Sequence, residues 1–198
     1  MLENLQKMRY PLGKGRGDLS VNEKQAFHQA GYLRENYRYF HLRDTAGQER
    51  DFHFHDFDKL VILLEGRVDY TVESVSYHLR PWDILLVKHH TIHRADIDQS
   101  LPYERVILYL DRKYFDRVMP EAGLMNCFEI ADRQRQHLLV PDEQQRQQIA
   151  GLLGAYEQSR RDEGFGAAAM GDTLMIQLLI QVGRVHAAGP EQKKKAGL

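Results

Sequence analysis

Gly47-Gln48-Glu49-Arg50-Asp51-Phe52-His53-Phe54-His55 and, further on, Lys88-His89-His90-Thr91-Ile92-His93 are the two stretches on which the reading of this chain turns. In His53-Phe54-His55 both imidazoles point the same way if the segment is extended, because side chains alternate along a strand. Should that face line a barrel, two ring nitrogens look into one cavity, and His93, on a later strand, can add a third from the opposite wall. A lone His-x-His carries little weight; what surrounds it decides.

Around it lie short apolar runs separated by turn signals. Residues 59–65 end at Gly66, and 67–73 follow at once, which predicts a tight hairpin. Residues 77–80 precede Pro81-Trp82-Asp83 and the apolar run Ile84-Leu85-Leu86-Val87. Residues 91–97 and 103–110 read as two more strands. Strands at such short, regular spacing indicate an all-β sandwich or barrel rather than βαβ units.

The remainder divides around this body. Residues 1–36 are polar and read as partly helical, with Ser20-Val21-Asn22-Glu23 in the form of a capping box. Residues 37–110 are the strand-rich body, and residues 111–187 are mostly helical. Residues 112–118 predict a short helix and 137–140 a stray strand. In residues 143–161, Ile149, Leu152, Leu153 and Tyr156 fall on one helical face. Gly164-Phe165-Gly166 breaks that helix and lets the chain reverse. In residues 167–187, Leu174, Ile176 and Ile180 widen a stripe of Met175, Leu178, Leu179 and Val182 beyond one packing face. Two readings follow: burial within one molecule, or a seam with a second copy through Leu174, Leu178 and Val182. Residues 188–198, with Lys193-Lys194-Lys195, read as a tail or linker.

A chain of 198 residues can hold one sizeable core with a helical appendage. Net charge −1 argues against nucleic-acid binding by these residues themselves. The single cysteine, Cys127, excludes an internal disulfide and suits a reducing, cytoplasmic setting. Neither a signal-peptide core nor a membrane-length apolar run is present.

Taken together, Gly47-x5-His53-x-His55, Glu65-Gly66, Pro81-Trp82-Asp83-Ile84-Leu85-Leu86-Val87 and Thr91-Ile92-His93 resemble the N-terminal sensor domain of AraC-type transcription regulators. The resemblance covers roughly residues 37–187. It implies a mainly β fold with helices: a cupin barrel (double-stranded β-helix, or jelly roll) followed by an antiparallel helical hairpin. It further implies a small-molecule effector in the barrel, a homodimer through the helices, and DNA reached only through a C-terminal domain. No such domain follows Ala187 here, so the expectation is a sensor fragment or a stand-alone relative. No catalytic residue and no required cofactor is implied on this reading, with a divalent metal on His53, His55 and His93 as the possible addition. The alternative is a stand-alone metal-dependent cupin enzyme, an isomerase or dioxygenase, on those histidines.

Two departures from the family pattern bear on this choice. The glycine usual after the proline of the second motif is Trp82. Where metal-binding cupins place a carboxylate after His-x-His, this chain has Lys59, preceded by Asp58. An ammonium beside a cation is repulsive. An inward Lys59 suits an anionic ligand such as a carboxylate, sugar acid or phosphate; an outward one leaves the place to Asp58 or Asp56. The expected ligand-binding set is therefore His53, His55, Lys59, His93 and Tyr39, the last on a strand face shared with Tyr37 that lines either pocket or core.

Overall fold

The computed structural model of the protein describes residues 27–44 and 51–195, with side chains placed as far as residue 189. The capping-box expectation at residues 20–23 lies outside the described residues. In order come β1 (His28–Gln29), β2 (Tyr37–Asp44), β3 (His53–Phe54), β4 (Asp58–Glu65), β5 (Val68–Val72), β6 (Val75–Leu79), β7 (Ile84–Val87), β8 (His93–Ile97) and β9 (Tyr103–Leu110). There follow α1 (Arg112–Val118), α2 (Asn126–Gln134), β10 (Leu138–Leu139), α3 (Glu143–Ser159) and α4 (Ala167–Lys195).

The strands form two sheets, ordered β1-β3-β8-β5-β6 and β10-β7-β4-β9-β2. Alternation along the second sheet sorts its residues to two sides. Leu60, Ile62, Ile84, Leu86, Val106 and Leu108 share one core with Phe115, Phe128, Ile149, Leu153, Met175, Leu178 and Val182 of the helices. Their neighbours Val61, Leu63, Leu85 and Val87 share a second core with Val68, Tyr70 and Val72 of the first sheet. The second sheet is thus covered on both faces, by helices outside and by the other sheet inside. That is why β4 is buried at every position from Asp58 to Leu63.

Two turns carry the backbone constraints. Gly66 holds φ +101, and a Cβ there would run into the Pro102 carbonyl oxygen. Gly66→Ala is therefore expected to cost on the order of 2–3 kcal/mol, read as a fall in the chemical denaturation midpoint. Trp82 holds φ +75, so the left-handed turn remains although its glycine does not. Its N–H donates to the Leu63 carbonyl at 2.6 Å, and its ring packs against the helix-side core.

The helices differ from expectation in three places. The short helix α2 was not anticipated. Its first turn has no side-chain cap, and it is held by burial of Cys127, Phe128 and Ala131. Burial pushes the Cys127 thiol up to about 11, which suits packing rather than nucleophilic chemistry. Helix α4 runs to Lys195, so residues 188–195 of the expected tail or linker are helical. Finally, Leu178 and Val182 are 1 % and 0 % exposed within the single chain. They are core, not the seam suggested for them, because α4 packs along α3 with that stripe turned into the core the helices share with the second sheet. Leu174 is only partly buried.

Candidate functional site: a histidine cluster with a lysine in the barrel

His53 lies directly opposite His93 in the β3–β8 pairing, with ring centroids 4.4 Å apart. His55, two residues on, lies 5.0 Å from His53 and 4.9 Å from His93 by the same measure. The third histidine thus comes from the neighbouring strand of the same sheet, not from the opposite wall. One candidate ligand atom from each ring can be chosen so that all lie within 4.8 Å of one another, a possible metal site.

The opposite wall supplies Lys59. It pairs with Val87 and Tyr109 in the second sheet and so faces the interior with Val61 and Leu63. Its Nζ lies 3.4 Å from His93 Nε2 and 5.7 Å from the centre of the Tyr70 ring. All four side chains are buried: His53 3 %, His55 3 %, His93 0 % and Lys59 6 % exposed. Lys59 is inward, and the alternatives for its place fail. Asp58, one step along the strand, points to the helices and is 0 % exposed. It accepts from the His89 backbone N–H and ring, each at 2.8 Å, and pairs with Arg112 at 2.8 Å. Asp56 is exposed.

The backbone sets how the rings present themselves. His53 Nδ1 bonds the Asp51 carbonyl at 2.7 Å, His93 Nδ1 the Thr91 carbonyl at 3.0 Å, and His55 Nδ1 the Ala30 carbonyl. A carbonyl only accepts, so each Nδ1 carries the proton, and in a neutral ring Nε2 keeps a lone pair. Burial, and next the charge of Lys59, push the His93 imidazole well below its ordinary value, so this ring is neutral at neutral pH. Anchored Nδ1–H groups with acceptor nitrogens on the other edge are the arrangement that cation-binding histidines adopt. Yet the set does not fit a resident divalent ion as the chain stands, because the ammonium of Lys59 already lies against one of those acceptors.

Tyr39 is not part of this cluster. With Tyr37 and His41 it lies on the helix-facing side of β2, opposite Leu108. The Tyr39 hydroxyl donates to Glu157 of α3 at 2.7 Å and that of Tyr37 to Asp172 of α4 at 2.8 Å. His41 bridges Glu157 at 2.6 Å and Glu104 at 2.7 Å. These three residues tie the barrel to both helices of the hairpin. Phe57, stacked on His55 with centroids 4.6 Å apart, and Tyr70 were overlooked at the cluster. The buried alternation Val68, Tyr70, Val72 in β5 was the available signal for the second.

Partial burial pulls the His41 imidazole down, but Glu104 and Glu157 outweigh it and hold it above its ordinary value. A raised folded value means a stabilising contribution that is full below about pH 6.5 and fades as pH rises through the folded value. The stability difference between the native protein and His41→Gln is therefore expected to be largest near pH 5.5–6.5 and to shrink by pH 9, staying under about 1 kcal/mol at this half-exposed site. Urea titrations of both proteins across that range test it; a difference growing with pH would refute it.

A second tie runs from the cluster to α2. Lys88 pairs with Glu129 at 3.1 Å and Asp132 at 3.3 Å, and the Thr91 hydroxyl donates to Asp132 at 3.2 Å. The segment 88–91 that leads into His93 is thereby moored to the helices.

Residues 35–179 match the family model of the AraC-like ligand-binding domain. The chain belongs to this family. The match takes in the barrel, α3 and the first part of α4. No curated protein sequence matches the chain significantly. Similar solved structures include a cupin superfamily protein from Desulfitobacterium hafniense, 19% identical, covering 40% of this chain and 71% of that one at TM-score 0.35. A putative mannose-6-phosphate isomerase from Ralstonia eutropha is 21% identical, covering 40% and 79% at TM-score 0.36. KdgF from Halomonas is 19% identical, covering 39% and 71% at TM-score 0.34. The AraC-like ligand-binding domain is mainly β, two five-stranded sheets followed by a helical hairpin. Among its described residues no helix is long and apolar enough to cross a membrane.

Proposed function

We propose that this AraC-like domain senses a small-molecule effector inside the barrel and passes the bound state to its helical hairpin, as the regulatory part of a cytoplasmic transcription regulator. The observation that carries the reading is the wiring between the two parts. The polar cluster inside the barrel is moored to α2 through the 88–91 segment, and β2 is bonded to α3 and α4 through Tyr37, Tyr39 and His41. An effector that fits one arrangement of barrel and hairpin better than another shifts their populations, and no covalent chemistry is needed.

In this reading His53, His55, Lys59 and His93 meet the polar head of the effector. Lys59 makes the site favour a carboxylate, sugar acid or phosphate over a cation. The domain acts as a homodimer, and DNA is contacted through a further domain rather than through these residues. With Leu178 and Val182 inside the core, a dimer seam on α4 has to use its partly buried residues, such as Leu174, Ile176 and Ile180. Sedimentation of Ile180→Lys checks this: folded monomers are expected, against dimers for the native chain.

A thermal-shift screen of sugar acids, small carboxylates and phosphates tests the sensor reading. One compound is expected to raise the melting temperature, with a stabilisation of about 2.7 kcal/mol at a hundredfold excess over its Kd. The effect should be lost in Lys59→Met and His93→Ala, and hydrogen exchange should slow in α3 and α4 as well as in the barrel. The second reading, a metal-dependent cupin enzyme, draws on the acceptor nitrogens of the histidine cluster. Turnover of a screened compound, dependent on added metal and on His53, His55 and His93, would favour it.

A further inference from the structure

We infer that the Lys59 ammonium is the resident cation of the histidine cluster, held where a divalent metal would otherwise bind, and that this one side chain is what keeps metal out. The rings are set for a cation. His53, His55 and His93 each spend their Nδ1–H on a backbone carbonyl, so the edge left for the cluster is an acceptor. Lys59 Nζ lies at that edge, 3.4 Å from His93 Nε2.

Two features hold the lysine there. The first is strand register: Lys59 opposite Val87 and Tyr109 faces the interior, and its neighbour Asp58 is fastened on the other side by Arg112 and His89. Turning the lysine outward would require breaking that buried pairing. The second is the face of the Tyr70 ring, 5.7 Å from Nζ, a surface that attracts a singly charged ammonium. A divalent ion bonded to His93 Nε2 would sit beside this ammonium, with strong repulsion in a buried site. The inference does not depend on the sensor reading, but it bears on the alternative, since a metal-dependent enzyme on the same three histidines requires the lysine to give up this place.

Cobalt(II) alone is the probe, on the full chain. Native protein dialysed against cobalt(II) is expected to retain none and to show no visible absorption band and no change in melting temperature. Lys59→Glu, which puts a carboxylate beside the three imidazoles, should retain one ion per chain, gain a visible band, and bind more than about a hundredfold tighter than the native chain. Adding His93→Ala to that variant should abolish the gain. Lys59→Met serves if the glutamate variant does not fold. It removes the charge at nearly constant volume and should bind cobalt(II) measurably through the histidines alone. Native protein holding one cobalt(II) as tightly as Lys59→Glu would overturn the inference. So would folded Lys59→Glu or Lys59→Met that binds no better than native.

Discussion

Replacing Leu178 and Val182 together by glutamate is expected to abolish the folded state. Both side chains are essentially inaccessible and lie in the core shared by the helices and the second sheet. Each carboxylate would have to be desolvated without a partner, at several kcal/mol apiece, on top of the aliphatic packing lost. Together these approach or exceed the about 5–15 kcal/mol that holds a domain of ordinary stability. Circular dichroism should show no cooperative melt. Leu178→Ala alone should still fold, at a cost of about 2–5 kcal/mol. A folded, monomeric double variant would show instead that this face is a seam between copies and not core.

Asp58→Ala should be the most damaging single change at a charged residue. The carboxylate is fully buried, and it satisfies the Arg112 guanidinium together with the backbone and ring of His89. Removing it leaves a partly buried guanidinium and a strand of the barrel detached from the start of α1. Breaking a buried pair from one side costs about 3–5 kcal/mol, which urea denaturation reads directly. A loss under about 1 kcal/mol would mean that Glu129, already 3.5 Å from the Arg112 guanidinium, or solvent takes over the carboxylate's role. Because His89 belongs to the segment leading into His93, the same variant should also weaken effector binding beyond its loss of stability.

Strand periods and turn residues made most of the barrel legible. Residues 103–110 and 112–118 were placed to the residue, since β9 is bounded by Pro102 and Asp111, and Asp111 caps α1 by accepting from the Lys113 N–H. Helix α2 was not legible: it is nine residues long and lacks a capping side chain, so packing rather than local preference makes it helical. Two-residue alternation put His53 and His55 on one face, whereas the strand that brings in His93 needed the observed β3–β8 pairing. The side on which Tyr39 falls was not legible, because alternation says that Tyr37, Tyr39 and His41 share a face, not which face. That needs the partner strand, and pairing with Leu108 decides it. The wide apolar stripe of α4 did not distinguish a seam from core, because a helix packed against several elements of its own chain requires the same width. Lys59 could not be oriented from the sequence either; the burial of its neighbour Asp58 against Arg112 does so.

The Asp58–Lys59 step has a consequence for how the chain finds its fold. Most of β4 is aliphatic on both faces, Leu60 through Leu63, and an apolar run of that kind tolerates sliding against β7 and β9. Slipping by one position exchanges the two faces. Here it would push a carboxylate among imidazole acceptors and an ammonium against a guanidinium, so the misaligned sheet is penalised at both ends of one peptide bond. Two adjacent opposite charges thus act as a proofreading mark for strand alignment, useful even before any effector has been met.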